Sequence, residues 1–455
     1  MMKIINPATE AEIASISSDD KSTISSKVDL LRNGQEEWKK IPVHDRIQTL
    51  KKFGDLVLSR QEELAMLLTS EMGKPLQQSL NEINGAYNRI EHLLSNGEKW
   101  LEEETAFQSE DMIEKITYEP LGVIANISAW NYPYNVGYNV FLYALAAGNS
   151  VLYKPSEYAS LTGLQFQKLL HESGIPEDVF QCVIGDGKVG QIVLEAGLDG
   201  YYFTGSYTTG QHIAKTIASN LVPVQLELGG KDPLYVMDDV PDVRMAAINA
   251  AEGAFYNNGQ SCCAIERIYV HEKIYPEFRD AFVDEVKSYV IGDPKSLDTF
   301  VGPLTRHEQI SFLEGQISDA TTKGASIACG GKPLNKTGYY FEPTVLIDVN
   351  HQMKLMKEES FGPVIGIHRV SSDQEAIKLM LDTDYGLTSA VFGTSEKRVM
   401  NILRQMDSGT VYWNCCDRVS PNVPWSGRRN SGLGSTLSSQ GIRAFVQPKS
   451  FQMRK

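Results

Sequence analysis

The chain has 455 residues, far too many for one hydrophobic core, and its length predicts two or three domains. With 43 Lys and Arg against 57 Asp and Glu, the formal net charge is −14, which argues against nucleic acid or an anionic membrane surface as a partner. Hydrophobic residues at 42% and charged residues at 22% are typical of folded globular proteins and exclude disordered and fibrous classes.

The chain shows no apolar stretch typical of a secretory signal or of a membrane span, so we expect a cytoplasmic protein without a membrane partner. Its six cysteines form no disulfide framework, and reduced thiols are expected. Neither a Cys-x-x-Cys nor a His-x-x-x-His spacing occurs, so the sequence predicts no metal site.

The first hundred residues have apolar positions at three- and four-residue spacing, which predicts helices over 24–38, 44–71 and 76–104. From Val123 onward, short apolar runs alternate with helical segments, and a second such series follows Gly229-Gly230. Alternation of this kind predicts parallel sheets in two α/β domains, with the change of domain near the glycine pair.

A polar turn before a predicted strand carries two adjacent cysteines, in the sequence Asn257-Asn258-Gly259-Gln260-Ser261-Cys262-Cys263. A cysteine in such a loop can act as a nucleophile when its thiolate is accessible. The alternative is a pair of small, half-buried residues, because most free cysteines are buried and inert. The motif by itself leaves both interpretations open.

An acidic residue, Glu227, lies in an apolar run that ends at Gly229-Gly230. Burial at a strand end would raise the pKa of this carboxyl group toward neutrality, as a general base requires. The structural alternative is that Glu227 forms an ion pair with Lys231 or Arg267.

A third element is Asn131, which follows a predicted strand and precedes a helix that starts near Pro133. Asn is a common turn residue and needs no catalytic role there. Together with a backbone N–H, however, an Asn amide can stabilise the oxyanion that forms when a thiolate attacks a carbonyl group.

Taken together, these elements resemble the aldehyde dehydrogenase superfamily, whose pattern is Glu-Leu-Gly-Gly followed by Gly-Gln-x-Cys. The resemblance extends over nearly the whole chain. Further matching motifs, in chain order, are Trp130-Asn131-Tyr132-Pro133, Lys154-Pro155-Ser156-Glu157, Phe203-Thr204-Gly205-Ser206, Glu358-Glu359-Ser360-Phe361-Gly362-Pro363 and Pro424-Trp425-Ser426-Gly427.

The resemblance implies that Cys262 is the nucleophile and Cys263 its non-catalytic neighbour. Asn131 and the backbone N–H of Cys262 would form the oxyanion hole. Glu227 would be the general base, for the thiol and for the water that hydrolyses the thioester. The expected activity is NAD(P)-dependent oxidation of an aldehyde to a carboxylic acid.

The resemblance also implies a nicotinamide dinucleotide site. Its expected residues are Trp130, Lys154, Glu157, Gly205, Ser206, Glu359 and Phe361. Glu157 corresponds to the position that bonds the ribose 2′-hydroxyl, which favours NAD, while the nearby Lys154 leaves NADP possible. The segment Gly185–Gly190 matches Gly-x-Gly-x-x-Gly, but we expect it to be a turn and helix entry near the adenine side rather than the pyrophosphate site.

By the same analogy, a substrate funnel is lined by Tyr132, Val136, Asn139, Ser261, Cys263, Val419 and Trp425. This set predicts a medium-sized funnel without a fixed charge. No Arg lies within 134–143, which disfavours semialdehydes with a carboxylate tail, although Arg418, Arg428 and Arg429 remain alternatives. An aromatic set of Tyr132, Trp413 and Trp425 either binds a quaternary ammonium group or packs the funnel wall.

The implied fold is α/β, with a Rossmann-type cofactor domain over 1–102 and 121–228 and a catalytic domain over 229–443. A small β element over 103–120 and 444–455 is expected to mediate a homodimer or homotetramer. One departure from the family pattern is Ser435-Thr436-Leu437, where many members have Arg-Glu.

Two alternatives to hydrolytic oxidation remain. An acylating relative would pass the acyl group to coenzyme A, but such relatives commonly lack the acid that Glu227 provides. A non-enzymatic binding protein on the same fold would be expected to lose Cys262, Glu227 or Asn131, and all three are present.

Overall fold

Two large β-sheets and one small sheet organise the chain, whose computed structural model describes residues 1–455. The helices are α1 (Lys21–Trp38), α2 (Val43–Ser59), α3 (Gln61–Met72), α4 (Leu76–Trp100), α5 (Pro133–Ala146), α6 (Ser160–Ser173), α7 (Gly187–Leu194), α8 (Tyr207–Ile217), α9 (Val243–Phe255), α10 (Tyr275–Ser288), α11 (Glu308–Thr322), α12 (Asp373–Leu381), α13 (Glu396–Leu403) and α14 (Ser438–Ile442). No helix combines the length and the apolar character needed to cross a membrane.

The strands follow the same chain order. They are β1 (Met2–Ile5), β2 (Glu12–Ile16), β3 (Glu104–Gln108), β4 (Met112–Pro120), β5 (Val123–Ile127), β6 (Ser150–Lys154), β7 (Phe180–Cys182), β8 (Gly200–Thr204), β9 (Val224–Glu227), β10 (Asp232–Val236), β11 (Ile265–His271), β12 (Ser326–Cys329), β13 (Thr344–Ile347), β14 (Val364–Val370), β15 (Tyr385–Gly386), β16 (Thr388–Phe392), β17 (Thr410–Trp413), β18 (Arg428–Arg429), β19 (Gly432–Leu433) and β20 (Val446–Arg454). Two short antiparallel pairs, β1 with β2 and β15 with β18, lie outside the three sheets.

The first large sheet has the strand order β19-β9-β8-β5-β6-β7, and all pairs are parallel except β19 with β9. Strands β5, β6 and β8 are buried at every residue, because helices cover both faces of the sheet. One helical layer packs through Phe141 and the other through Ile213. These continuous apolar runs are therefore central strands of a doubly wound sheet.

The second large sheet has the order β12-β13-β14-β11-β10-β16-β17, in which only β12 is antiparallel to its neighbour. Its central strand β11 is buried throughout, again with helices on both faces. The α/β class with two parallel sheets, expected from the alternating pattern, is confirmed.

The small sheet is antiparallel, in the order β20-β4-β3. Strand β20 pairs with β4 along its whole length, from Val446 opposite Pro120 to Arg454 opposite Met112. Apart from Val446, every residue of β20 is exposed. The division into three domains stays a prediction, and β19, from the segment assigned to the catalytic domain, pairs with β9 of the first sheet.

The predicted helix over 44–71 is two helices, since Arg60 leaves helical geometry with φ −116° and ψ 18°. Arg60 forms an ion pair with Glu172 near the end of α6. Arg is a good helix former, so local propensity gives no sign of this break. The tertiary ion pair accompanies the change of direction between α2 and α3.

Between α9 and β11 the chain makes a left-handed turn, in which Asn257, Asn258 and Gly259 have φ values of 52°, 58° and 67°. Asn and Gly are the residues that adopt this conformation at least cost. The Asn258 amide donates to the carbonyl groups of Gly302 and Pro303 at 2.8 and 2.9 Å. This turn places the segment that carries the two adjacent cysteines.

Gly259 also permits a close backbone approach, because a Cβ atom there would lie 2.5 Å from the carbonyl oxygen of Gly362. We predict that Gly259→Ala lowers the free energy of unfolding by about 1–3 kcal/mol. Gly315→Ala is the matched control, since a Cβ atom at Gly315, inside α11, meets nothing within 4 Å. It is expected to be neutral or to stabilise α11 by up to about 1 kcal/mol.

Thermal unfolding of the two variants measures this difference. Equal melting temperatures for Gly259→Ala and Gly315→Ala would show that the turn is not constrained in this way.

Candidate active site

Two cavities meet at Cys262 and Asn131, which line both of them. The volumes are about 730 Å³ and about 450 Å³. Both volumes lie in the range of ligand sites in proteins, roughly 300–1,000 Å³. Ligands in the two cavities would therefore both lie beside Cys262.

The backbone around Cys262 is held by side-chain amides. The carbonyl oxygen of Gln260 accepts from the amide of Asn257 at 3.1 Å, and the Gln260 side chain accepts from the N–H of Thr305 at 3.0 Å. Cys262 itself is half-buried. The loop therefore holds this thiol at a fixed place between the two cavities.

The neighbouring thiol of Cys263 is buried and donates to Asp417 Oδ1 at 3.1 Å. Its contact with Cys262, together with burial, raises the pKa of Cys263 well above its ordinary value. Cys263 therefore remains a thiol, and Cys262 is the cysteine that opens on both cavities. All six cysteines are free.

Glu227 lies at the end of β9 and lines the larger cavity together with Cys262. Its Oε1 accepts from Gln225 Nε2 and Thr436 Oγ1, both at 3.0 Å, while its buried Oε2 has no hydrogen-bond partner. Burial raises the pKa of Glu227 to about 8, and the two donors oppose this rise. The carboxyl group can thus gain and lose a proton near neutral pH.

Neither Lys231 nor Arg267 forms an ion pair with Glu227. Lys231 forms an ion pair with Glu266 at 2.5 Å, and Arg267 donates to the carbonyl oxygen of Lys231 at 2.8 Å. Glu266 also accepts from the backbone N–H of Phe361 at 3.0 Å. The Lys231–Glu266 pair, which the sequence reasoning did not identify, therefore holds the Phe361 loop.

Asn131 follows β5, is 3% exposed, and donates from Nδ2 to the carbonyl oxygen of Gln260 at 3.1 Å. The backbone carbonyl oxygen of Asn131 accepts from Lys74 Nζ at 2.8 Å and from the Asn257 side-chain amide at 3.2 Å. One Nδ2 hydrogen remains without an acceptor. The side-chain amide of Asn131 is therefore fixed beside Cys262, and one of its N–H groups is free to donate a hydrogen bond to a ligand.

A buried ion pair between Lys74 and Glu82 lies beneath Asn131 and was also missed by sequence reasoning. Glu82 accepts from the backbone N–H of Tyr134 at 2.9 Å, and Lys74 Nζ is 3.7 Å from the ring centre of Tyr132. The pair thus binds both sides of the Asn131 turn. Its only sequence signal is a lysine between Gly and Pro at a helix junction.

All seven residues expected at the cofactor line the larger cavity. Lys154 Nζ is buried and donates only to the carbonyl oxygen of Pro155, at 3.2 Å. A buried ammonium group with one acceptor suits a ligand that brings hydroxyl oxygens, so the cavity fits a nucleotide ribose. Gly205 and Ser206 precede α8, whose first backbone N–H groups suit a phosphate.

The residues expected on the nicotinamide side lie close together. Glu359 accepts from the backbone N–H of Gly230 at 3.0 Å, and burial raises its pKa to about 8. Gly229 permits this approach, because a Cβ atom there would lie 2.2 Å from a Glu359 oxygen. The rings of Trp130 and Phe361 are perpendicular, with centres 5.5 Å apart.

The glycine-rich segment expected near the adenine side lies at the same cavity. Gly187 begins α7, and both Gly187 and Gly190 line the cavity wall. Arg306 and His212, which sequence reasoning did not select, also line it.

The seven expected funnel residues all line the smaller cavity, but the expectation of a funnel without fixed charge is wrong. Arg89, Glu252, Asp417 and Arg418 line it as well. They come from α4, α9 and the segment after β17, and only the packing of these elements brings them together. Trp413, by contrast, does not line the cavity and donates to the carbonyl oxygen of Gly393 at 2.8 Å.

Arg89 and Asp417 differ in whether a polar atom remains free to bind a ligand. Arg89 is buried and donates from its guanidinium group to the Asn139 side chain at 2.9 Å, so this N–H group is already in a hydrogen bond within the wall. Asp417 Oδ1 accepts from Ser261 at 2.9 Å as well as from Cys263, whereas its Oδ2 has no hydrogen-bond partner. The funnel therefore presents a carboxyl oxygen with an unused lone pair, and burial raises the pKa of Asp417 above its ordinary value.

Comparison with known proteins identifies the family. The model of the aldehyde dehydrogenase family matches residues 1–451. The chain is 34% identical to the chloroplastic betaine aldehyde dehydrogenase of Beta vulgaris, over 98% of this chain and 91% of that protein. It is 32% identical to the NADP-dependent succinate-semialdehyde dehydrogenase of Deinococcus radiodurans, over 98% and 93%.

A solved structure gives the same result. The fold matches a betaine aldehyde dehydrogenase of Staphylococcus aureus in complex with NAD⁺, with a TM-score of 0.95, 32% identity, and coverage of 99% of this chain and 93% of that one. The match spans both large sheets and both cavities described above. The chain belongs to the aldehyde dehydrogenase family and is an NAD(P)-dependent aldehyde dehydrogenase.

Proposed function

We propose that this enzyme oxidises its aldehyde through a covalent cycle at Cys262 and releases a free carboxylic acid. The observation that carries the proposal is that Cys262 and Asn131 line both cavities. The Cys262 thiolate adds to the carbonyl carbon, and the oxygen that becomes negative accepts from Asn131 Nδ2 and the backbone N–H of Cys262. A bound nicotinamide dinucleotide supplies the hydride acceptor, and the acyl group remains on Cys262 as a thioester.

Glu227 is proposed to activate the water that releases the acid. Its free Oε2 takes a proton from the water as the water oxygen attacks the thioester carbon, and the Cys262 thiolate leaves. A carboxyl group with a pKa near 8 is deprotonated in a useful fraction of molecules at neutral pH. This assignment favours water over coenzyme A as the acyl acceptor.

Cys262→Ala and Glu227→Gln separate the two halves of this cycle. Cys262→Ala should form no reduced nicotinamide. Glu227→Gln should form about one equivalent per active site in a rapid burst and then turn over about 10²–10⁴-fold more slowly, because the role proposed here for Glu227 is in deacylation rather than in activation of the thiol. Cys329→Ala, at a thiol outside both cavities, is the matched control.

Stopped-flow absorbance of reduced nicotinamide measures both phases. Full activity of Cys262→Ala would refute the covalent cycle. Wild-type turnover that rises on addition of coenzyme A, with acyl-coenzyme A as product, would favour the acylating alternative.

The cofactor is proposed to be NAD in preference to NADP, because Glu157 lines the cofactor cavity near Lys154. The 2′-phosphate of NADP would meet the carboxylate of Glu157, and like charges repel. Glu157→Gln is therefore expected to raise kcat/KM for NADP relative to NAD by about tenfold, or ~1.4 kcal/mol.

Steady-state kinetics with each dinucleotide test this expectation against Glu177→Gln, which removes an exposed carboxylate at the loop before β7. An unchanged ratio of the two kcat/KM values in Glu157→Gln would contradict the assignment.

For the substrate, we propose an aldehyde that carries an amino or ammonium group. Asp417 Oδ2 has no hydrogen-bond partner, and the rings of Tyr132, Tyr256 and Trp425 line the same funnel. A cation is attracted both by the carboxylate and by aromatic faces. The Beta vulgaris relative is named for betaine aldehyde, a substrate of this class.

Asp417→Asn tests the substrate class while preserving the shape of the side chain. We expect kcat/KM for 3-aminopropanal and betaine aldehyde to fall about 10–100-fold, and kcat/KM for neutral butanal to change by less than about threefold. Asp55→Asn, an exposed residue of α2, is the control. An equal loss for cationic and neutral aldehydes would show that Asp417 has a structural role only.

We further propose a cytoplasmic homodimer or homotetramer. Two of the sheet edges carry exposed apolar side chains on long or terminal strands: β20 of the small sheet, with Phe451 and Met453, and β17 of the second large sheet, with Val411. Open edges with apolar side chains favour pairing with another chain. A catalytic thiol among six free cysteines suits a reducing compartment such as the cytosol.

A further inference from the structure

We infer that Thr436 is a positioning residue for Glu227, which it orients so that Oε2 is the oxygen that accepts the proton. The inference rests on the proposed role of Glu227 as the base of deacylation. It concerns Thr436, in the segment Ser435-Thr436-Leu437 that follows β19. The structure shows that the threonine there contacts the base directly.

Backbone pairing brings Thr436 to Glu227 although the two are 209 positions apart. Strand β19 is antiparallel to β9, with Gly432 opposite Glu227. Thr436 then pairs with Trp425, since the N–H of each donates to the carbonyl oxygen of the other at 2.8 Å. The threonine is 1% exposed, so its hydroxyl group cannot turn toward solvent.

The turn after Thr436 fixes its backbone further. Leu437 and Ser438 have φ values of 62° and 56°, in the left-handed region that residues other than glycine rarely adopt. A Cβ atom at Gly441 would lie 2.4 Å from the carbonyl carbon of Thr436, so α14 packs directly on this residue. Thr436 is held on both sides, as a residue that orients another must be.

The two oxygens of Glu227 are consequently not equivalent. Oε1 accepts from two neutral donors, Thr436 and Gln225, whereas Oε2 is buried with no partner. A proton that reaches the carboxylate binds Oε2, because the lone pairs of Oε1 are already in hydrogen bonds. In deacylation, the water proton thus moves to Oε2, the water oxygen bonds to the acyl carbon, and the bond to Cys262 sulfur breaks.

Neutral donors suit this task better than a cation would. A lysine or arginine beside Glu227 would stabilise the carboxylate strongly and lower its pKa, which weakens the base. A hydroxyl and an amide orient the group and offset only part of the effect of burial. Gln225 is itself packed under Gly434, where a Cβ atom would lie 2.9 Å from its side chain.

The test compares Thr436→Val, which is isosteric but lacks the hydroxyl, with Thr436→Ser, which retains it. Thr436→Val should keep the burst of reduced nicotinamide and lower steady-state turnover by about tenfold. Losing a donor to the carboxylate raises the pKa of Glu227, so the acid limb of the pH profile of kcat should move up by about one unit. Thr436→Ser should restore both the steady-state turnover and the position of the acid limb. Thr321→Val, on the exposed face of α11, is the control and should match the wild type.

Two outcomes overturn the inference: a wild-type pH profile in Thr436→Val, or a loss of burst and turnover together, which would indicate a general structural defect. If Thr436→Val does not fold, as judged by its melting temperature, Thr436→Ala, which also lacks the hydroxyl group, takes its place and must show the same burst and shift. A wild-type pH profile in Thr436→Ala would then overturn the inference. Normal turnover in Glu227→Gln would instead refute the proposed function.

Discussion

The hydrogen bond from the Asn131 amide to the carbonyl oxygen of Gln260 joins the two large sheets beside Cys262. Asn131 belongs to the turn after β5 of the first sheet, and Gln260 belongs to the loop before β11 of the second. Asn257 reinforces the link by donating to the carbonyl oxygens of both residues. The cofactor cavity and the funnel share Cys262 because this junction is fixed.

Buried charges around the junction fall into two classes. Glu82 and Glu266 each have a lysine partner, and each also accepts backbone N–H groups of a loop that borders the site. Paired in this way, they act as fixed supports, since breaking a buried pair leaves an uncompensated charge. Glu227 has only neutral donors, and it is therefore the carboxyl group of the three that is free to exchange a proton at Oε2.

Both cavities contain every residue expected there from the family resemblance, together with residues that no motif indicates. On the cofactor side, the seven expected residues lie in the cavity wall beside Arg306 and His212. On the substrate side, the wall also contains Arg89, Glu252 and Asp417, which no motif indicates.

Short-range patterns in the sequence determined the α/β class, the parallel sheets and the identity of Cys262, Glu227 and Asn131 as candidates, because each depends on residues close together in the chain. Hydrophobic alternation indicated the buried strands, and the Asn-Asn-Gly turn lies next to the thiol that it places. The break at Arg60 could not be predicted, since it involves an ion pair with Glu172.

Tertiary structure alone decided the charge of the funnel and the environment of the base. The partner of Glu227 is Thr436 rather than Lys231 or Arg267, and Asp417 reaches the funnel from the segment after β17. The physical reason is that hydrogen bonds and charge interactions act over a few ångströms in space, whatever the separation along the chain. The sequence determined which groups were present, and the packing of the two sheets decided which of them meet.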